Sequence, residues 1–502
     1  MSKGRVAPVS IVNCYCKIVT MSSRKIATST LWQLASQVAM AALSILAVKF
    51  VALGLSKELA GIYNSSYGFL QLFGILADFG LYAVAVKEVS RSDRKEEVLG
   101  AIIILRCIAL AISLSAALLF VWFVPVWKGT PLPLSVTIAS LVPFFTLLAG
   151  IIRTVFQINY KMHFVFIAEV SQRVLAVFLI GLFILFGVRG SHDLQHLHMF
   201  LYIGGIGAFL LFFLSLTYGN RLMTIRPHWD SALLKKYIKS AAPFGIAFLC
   251  MALYREFDIT LIALLRDDFE LQNAYYGFVT RIMGMGFLIP TFLLNSTLPI
   301  LSERDLKGED TRSLLGKTFL IILIFGSIIL LFSALWSRPI IQLLTTEAYL
   351  STPARPGADT ALRLMSIPMF LNGIILFGFY SLLTKNSWKK LVLALLLGVV
   401  ISLVMNLILI PKTGFVGAAQ TSITVHSILA IILLFTGAKA MPFRLSQAEI
   451  CKWIVFTVLL GGGLWIVRPL LTGEIETIIG LGVMSVYMLI LMFTLGFNKL
   501  IK

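Results

Sequence analysis

The chain has 502 residues, 59% hydrophobic, 12% aromatic and only 13% charged, with a mean hydropathy of +0.93. Soluble domains carry about 25% charged and about 45–50% apolar residues, so a chain this apolar cannot cover itself with polar groups and must live in a bilayer, which excludes a large soluble catalytic domain. Its 42 Lys and Arg against 23 Asp and Glu leave a net charge of +19, a hint of nucleic acid in a soluble protein but first a topology signal in a membrane protein.

The first twenty residues hold one short, interrupted apolar stretch and no small-residue cleavage site, so no signal peptide is expected. Met21, followed by Arg24 and Lys25, is an alternative start to Met1. Cys14 and Cys16 read as incidental thiols, with palmitoylation the other reading. With Cys107, Cys250 and Cys451 they are too scattered for a disulfide framework or a zinc site, and no metal or cofactor is expected.

Apolar windows long enough to cross a bilayer, about 20 residues each, follow at 28–53, 61–86, 98–126, 133–157, 164–187, 195–219, 241–265, 273–301, 314–336, 361–384, 388–410, 416–437, 450–468 and 475–496. That predicts fourteen membrane helices and an all-α integral membrane protein. Taken on alternate sides of these crossings, 28 basic residues fall on the side of the N-terminus and 9 on the other, which places both termini in the cytoplasm. The remaining five, Lys49, Arg106, Arg173, Arg255 and Arg281, fall within spanning segments.

Helices 1 and 7 would both start from the cytoplasm, so a duplication would be a parallel repeat about an axis along the membrane normal. Tyr63 and Arg91 of helix 2 have the same spacing of 28 as Tyr276 and Arg304 of helix 8, with Leu81 and Leu294 in register. The expected organisation is two six-helix lobes, 1–222 and 223–440, and a terminal helix pair, 441–502.

Several stretches resemble a known family. Leu53 to Tyr63 (LGLSKELAGIY) leads into Ile75 to Arg91 (ILADFGLYAVAVKEVSR); Ala241 to Gly245 (AAPFG) is followed by Tyr254 to Asp258 (YREFD); and Asn406 to Gln420 (NLILIPKTGFVGAAQ) is the most specific. Together, in order and over nearly the whole chain, these are similar to lipid-linked oligosaccharide flippases of the polysaccharide-transporter branch of the multidrug/oligosaccharidyl-lipid/polysaccharide (MOP) superfamily. The physical reading of the last stretch is architectural: Pro411, Gly414 and Gly417 stop helix 11, turn tightly and start helix 12 with small residues. Pro243 and Pro290 remove backbone donors from helices 7 and 8, as hinges of a two-lobe carrier or as static kinks.

Ionisable residues deep in a spanning helix are costly and face a cavity or a partner. Arg106, Arg173 and Arg281 lie about 13 Å and Arg255 about 20 Å from the cytoplasmic or outer start of their helices by helical rise. Lys49, near an outer helix end, is expected to snorkel. Arg173 has Glu169 four residues before it and Arg255 has Asp258 three residues after it, so each is either one half of an ion pair on its own helix or a cavity residue. Arg106 and Arg281 have no such neighbour and need a partner from another helix, such as Asp78, or an anionic substrate.

The resemblance implies that cargo: an undecaprenyl-pyrophosphate-linked oligosaccharide, moved from the cytoplasmic to the outer leaflet by alternating access for O-antigen or exopolysaccharide synthesis in a bacterial cytoplasmic membrane. The planar fork of Arg suits a pyrophosphate. The implied partners are that lipid, the bilayer and other polysaccharide assembly proteins, with no nucleic acid; the chain is expected to act as a monomer and not as an enzyme. Two alternatives stand beside it. A multidrug or cation antiporter of the same superfamily would need an embedded carboxylate in the first lobe, and helix 1 from Thr28 to Leu53 has none. An oligosaccharide polymerase or ligase would need a sizeable catalytic outer loop, whereas the longest, Ser337 to Thr360, offers no acid/base pair with a supporting His. His192, His196 and His198 lie in or beside the 5–6 connection and read as solvated or interfacial.

Overall fold

The computed structural model describes residues 10–224 and 226–497; Met1, one of the two candidate starts, lies outside them. The described residues form α1 (Ser10–Gly54), α2 (Lys57–Asp78), α3 (Leu81–Arg91), α4 (Lys95–Phe123), α5 (Leu132–Ala139), α6 (Leu141–Ile158), α7 (His163–Leu185), α8 (Leu194–Asn220), α9 (Ser231–Glu256) and α10 (Asp258–Leu265). After them come α11 (Phe269–Gly286), α12 (Leu288–Leu306), α13 (Arg312–Leu335), α14 (Ser337–Leu344), α15 (Ala358–Thr384), α16 (Trp388–Thr413), α17 (Phe415–Ala440), α18 (Gln447–Val467) and α19 (Glu474–Thr494). Among these residues the only β pairing is two isolated bridges, so the protein is all-helical.

Among the described residues, twelve segments are long and apolar enough to cross a membrane, and α9, bent by 46° between Ala242 and Phe244, brings the number to thirteen. The remaining predicted crossing, 61–86, is α2 and α3. Its Asn64, Ser65 and Ser66 make it too polar to pass as a lipid-facing span, and all three are buried inside the protein. Spans that read as continuous in the sequence are interrupted. Phe79 and Gly80 both adopt positive φ, 36° and 72°, between α2 and α3, and Gly80 sits where an added Cβ would meet Phe244 at 2.8 Å. Only a residue without Cβ takes that conformation and that contact without strain. The segment around 337–360, expected as a loop, contains the short helix α14.

The two expected hinges fall at such sites. Pro243 lies at the bend of α9; its side chain is outside the described set. Pro290 lies in the first turn of α12, just after the junction at Phe287, where its missing N–H costs little. Pro411 does not stop its helix: α16 runs through it to Thr413, and Gly414, at φ 61°, makes the turn into α17. Pro411 is tolerated there in the last turn, where its carbonyl accepts from Arg266 Nη1 at 2.8 Å. Gly417 does allow the expected close approach, since a Cβ on it would lie 2.6 Å from the Leu409 carbonyl.

The N-terminal and C-terminal halves meet along α2, at the end of the bundle carrying the α1–α2 connection, called here the distal end. A Cβ on Gly61 would lie 1.6 Å from the Glu270 carbonyl oxygen, one on Gly68 2.7 Å from Ile259, and one on Gly277 2.5 Å from Asn64 Cβ. Small residues thus bring backbones together where membrane helices lack a hydrophobic drive to associate. Asn64 donates to the Asn273 carbonyl at 3.1 Å, Asn273 donates to Ser65 at 2.9 Å, and Trp127 donates to the Ala263 carbonyl at 2.7 Å. One buried apolar cluster runs through this junction, from Val51 and Leu55 to Met365 and Phe415. Lys49, expected to snorkel, instead pairs with Glu474 at 2.7 Å and donates to the Thr345 carbonyl at 2.8 Å. The start of α19 lies within its reach, a neighbour that one helix's sequence does not reveal.

Candidate functional site

Tyr63 and Tyr67 are one turn apart on α2, their rings edge to face at 4.9 Å. The Arg281 guanidinium of α11 lies over both, 5.0 Å from the Tyr63 centroid and 5.5 Å from that of Tyr67, a cation–π arrangement in which the ring faces attract the charge. Arg173, on α7, lies within electrostatic reach of the same two tyrosines and of Arg281, and its Nε is buried without a hydrogen-bond partner. Neither arginine has an acidic partner among the described residues. Counted from Phe269, Arg281 lies about 18 Å into its helix, and Arg173 is about 15 Å from the opposite side, so both sit near mid-membrane. Beside them Gly74 of α2 and Gly284 of α11 face open space, with no atom within 4 Å of an added Cβ, and Gln71 is exposed. Two like charges brought together in a low dielectric repel strongly; an anion between them removes that cost.

The other embedded arginines are neutralised. Arg106, only 6% exposed, is paired with Asp78, the partner named from the sequence, while its Nε and Nη1 stay buried without partners. Arg173 does not pair with Glu169: that carboxylate accepts from Arg153 Nη1 at 2.8 Å and from Ser36 Oγ at 2.5 Å. Arg153, which is not among the five basic residues assigned to spanning segments from the sequence, lies inside α6. Arg255 does not pair with Asp258 either; it bonds Glu256 at 2.7 Å and lies 4.7 Å over the Phe287 ring. Adjacent residues face apart on a regular helix, so this pairing was not legible, and it becomes possible because α9 ends at Glu256.

Asp258 is fully enclosed without a cation. Its carboxylate accepts from Tyr276 Oη and from Asn406 Nδ2, both at 2.9 Å, which joins α10, α11 and α16 in one buried polar cluster. Asn406 belongs to the stretch that carried the family resemblance, but its tie to Asp258 spans 148 residues of chain and is visible only in three dimensions. Tyr63 and Tyr67 were likewise missed as site residues; their i, i+4 spacing puts them on one helix face, which was the available signal.

The described residues thus form a multi-pass helical bundle with a polar, arginine-bearing interior at mid-membrane. The chain belongs to the polysaccharide biosynthesis protein family, whose model matches residues 26–305. Its fold is shared with several solved membrane transporters. Over 95% of this chain and all of the other, it superposes on the lipid II flippase MurJ in an inward closed conformation, with a TM-score of 0.68 at 15% identity. A multidrug resistance MATE family transporter of the MOP superfamily, in an inward-facing conformation, matches over 82% of this chain and 98% of its own, with a TM-score of 0.64 at 13% identity. The MATE multidrug transporter DinF-BH matches over 88% of this chain and all of its own, with a TM-score of 0.58 at 14% identity. No curated protein sequence matches the chain.

Proposed function

We propose that the protein is a flippase for a polyprenyl-pyrophosphate-linked oligosaccharide, carrying it from the cytoplasmic to the outer leaflet of a bacterial cytoplasmic membrane for O-antigen or exopolysaccharide synthesis. The observation that carries this reading is the pair Arg173 and Arg281, converging on Tyr63 and Tyr67 without an acid, one from each half of the chain. At an effective dielectric of about 20, one unit charge pair at about 4 Å is worth about 4 kcal/mol, enough to hold a pyrophosphate and small enough to release it. The sugar cannot cross hydrocarbon alone, because each unpartnered hydroxyl costs several kcal/mol; the open space around Gln71, Gly74 and Gly284 gives it a polar route.

The two lobes, 1–222 and 223–440, rock so that the distal contact of α2 with α11 forms and parts, with the bend at Pro243 and the α11–α12 junction near Pro290 as hinges and 441–502 as an appended pair; both termini are cytoplasmic. An inside-negative potential favours outward movement of two negative charges by about 4–5 kcal/mol per 100 mV. The cation-antiporter reading is disfavoured by the state of the N-terminal half, where both embedded acids, Asp78 and Glu169, already hold an arginine. The test is flipping of the lipid-linked oligosaccharide in proteoliposomes. Arg173→Gln and Arg281→Gln are each expected to slow it by at least about tenfold, roughly 1.4 kcal/mol, with thermal stability retained; flipping at the wild-type rate by both removes the arginines from the site.

A further inference from the structure

Away from the arginines, α2, α3, α4 and α9 enclose an apolar crevice of about 410 Å³. Phe73, Leu76 and Phe79 form its floor, Leu105, Ile108 and Ile112 one wall, and Ile238 and Ala241 the other. Ile108, Ile112 and Ile238 are 40%, 66% and 48% exposed, so the crevice opens sideways from the bundle, toward lipid. One turn from Ile238, toward the start of α9, stands Lys235, and Lys239 lies one turn further along on the face of Lys235, about 100° round the helix from Ile238; both are exposed and neither has an acidic partner among the described residues. Their neighbour Lys236 is already held by Glu88 at 3.0 Å. Trp229, just before α9, is 67% exposed, as suits a ring at the level of the head groups. An apolar slot at hydrocarbon depth, with exposed ammonium groups and an interfacial Trp toward the start of the helix that forms one wall, complements an amphiphile with an anionic head.

We infer that this crevice binds an anionic glycerophospholipid of the bilayer, one acyl chain lying between α4 and α9 and its phosphate on Lys235 and Lys239. The slot is the size of a hydrocarbon chain and too apolar for a sugar. Lysine point charges suit a singly charged phosphodiester, where a pyrophosphate calls for the planar arginine fork. The basic rim is on the first turns of α9, not at the mid-membrane arginines, so the bound head group is not that of cargo in the central space. Because one wall belongs to the N-terminal half and the other to the C-terminal half, the lipid also wedges the two together in this arrangement. None of this depends on which cargo the protein carries.

The experiment is native mass spectrometry of the full chain released from detergent, titrated with phosphatidylglycerol and with phosphatidylcholine of identical chains. One phosphatidylglycerol is expected to be retained in preference, and Lys235→Gln and Lys239→Gln to lower that preference by about fivefold each, the effect of one basic side chain near an anionic leaflet. Ala109→Trp, which fills the slot, is expected to reduce retention of both lipids, while Lys235→Arg with Lys239→Arg keeps the preference. Circular dichroism melting of each variant separates lost binding from lost folding. Equal retention of both lipids by the wild type, or an unchanged preference in the folded double glutamine variant, overturns the assignment. So does displacement of phosphatidylglycerol by equimolar undecaprenyl phosphate, which would make the carrier lipid the occupant.

Discussion

Arg106 and Arg281 look alike in the sequence, each an arginine in a spanning helix without an acid on its own face, but their surroundings make them respond differently to substitution. Arg106 neutralises Asp78, so Arg106→Ala leaves an uncompensated carboxylate. Breaking a buried pair in this way costs about 3–5 kcal/mol, and with the Asp78 side chain 33% exposed the low end, about 3 kcal/mol, is expected. The measurement is the melting temperature in detergent, where Arg106→Ala should melt well below wild type and Asp78→Asn with Arg106→Gln should recover most of the loss. Loss of transport with the fold retained is therefore expected of Arg281, which rests on the Tyr63 and Tyr67 rings, and of Arg173, which lies within electrostatic reach of them; neither satisfies an acid among the described residues. Glycines separate in the same way. Gly61→Ala drives a methyl into the Glu270 carbonyl and is expected to destabilise by about 1–3 kcal/mol, whereas Gly74→Ala meets nothing and gains up to about 1 kcal/mol of helix propensity. Equal melting temperatures for the two alanine variants would contradict the packing at α2.

Among elements, the long apolar helices were legible because a window of about 20 residues averages over the property that the bilayer selects. What that average cannot register is a single residue in the left-handed region, and the breaks at Phe79 and Gly80 and the turn at Gly414 are of that kind. Nor does it register a helix buried in protein rather than lipid: α2 carries Asn64, Ser65 and Ser66 because they face other helices, and its polarity marks it as the internal element. Partners were the least legible feature. Lys49 meets Glu474 across 425 residues of chain and Asn406 meets Asp258 across 148, distances over which no periodicity carries information. The Lys49–Glu474 bridge ties α1 to the terminal pair with side chains 19% and 51% exposed, and exposed pairs contribute about 0–1 kcal/mol. A double-mutant cycle of Lys49→Met and Glu474→Gln on thermal stability should therefore give a coupling below about 1 kcal/mol; a larger value would make this bridge a principal fastener of the distal end.

For the molecule as a whole, the junction of the two halves bears on how it moves. Asn64 packs on Gly277, and these positions are related by the same offset as Tyr63 and Tyr276, the pair that suggested an internal duplication. Equivalent positions of two repeats touch each other only near the axis that relates them, so this contact supports a pseudo-two-fold axis passing through the crossing of α2 and α11. Alternating access between halves related by that axis requires the distal contacts to part when the outer side opens. Gly68 and Ile259 belong to that contact and to opposite halves; a Cβ on Gly68 would lie 3.0 Å from Ile259 Cβ, a little inside the span of about 3.5–4.5 Å that a disulfide bridges. With Gly68→Cys and Ile259→Cys together, oxidation is expected to cross-link the halves and stop flipping in proteoliposomes, and reduction to restore it, while either single variant stays insensitive to oxidant. Full flipping by the cross-linked form would mean that cargo passes without separation of α2 from α10, and the rocking movement would have to be replaced by one confined to the opposite end of the bundle.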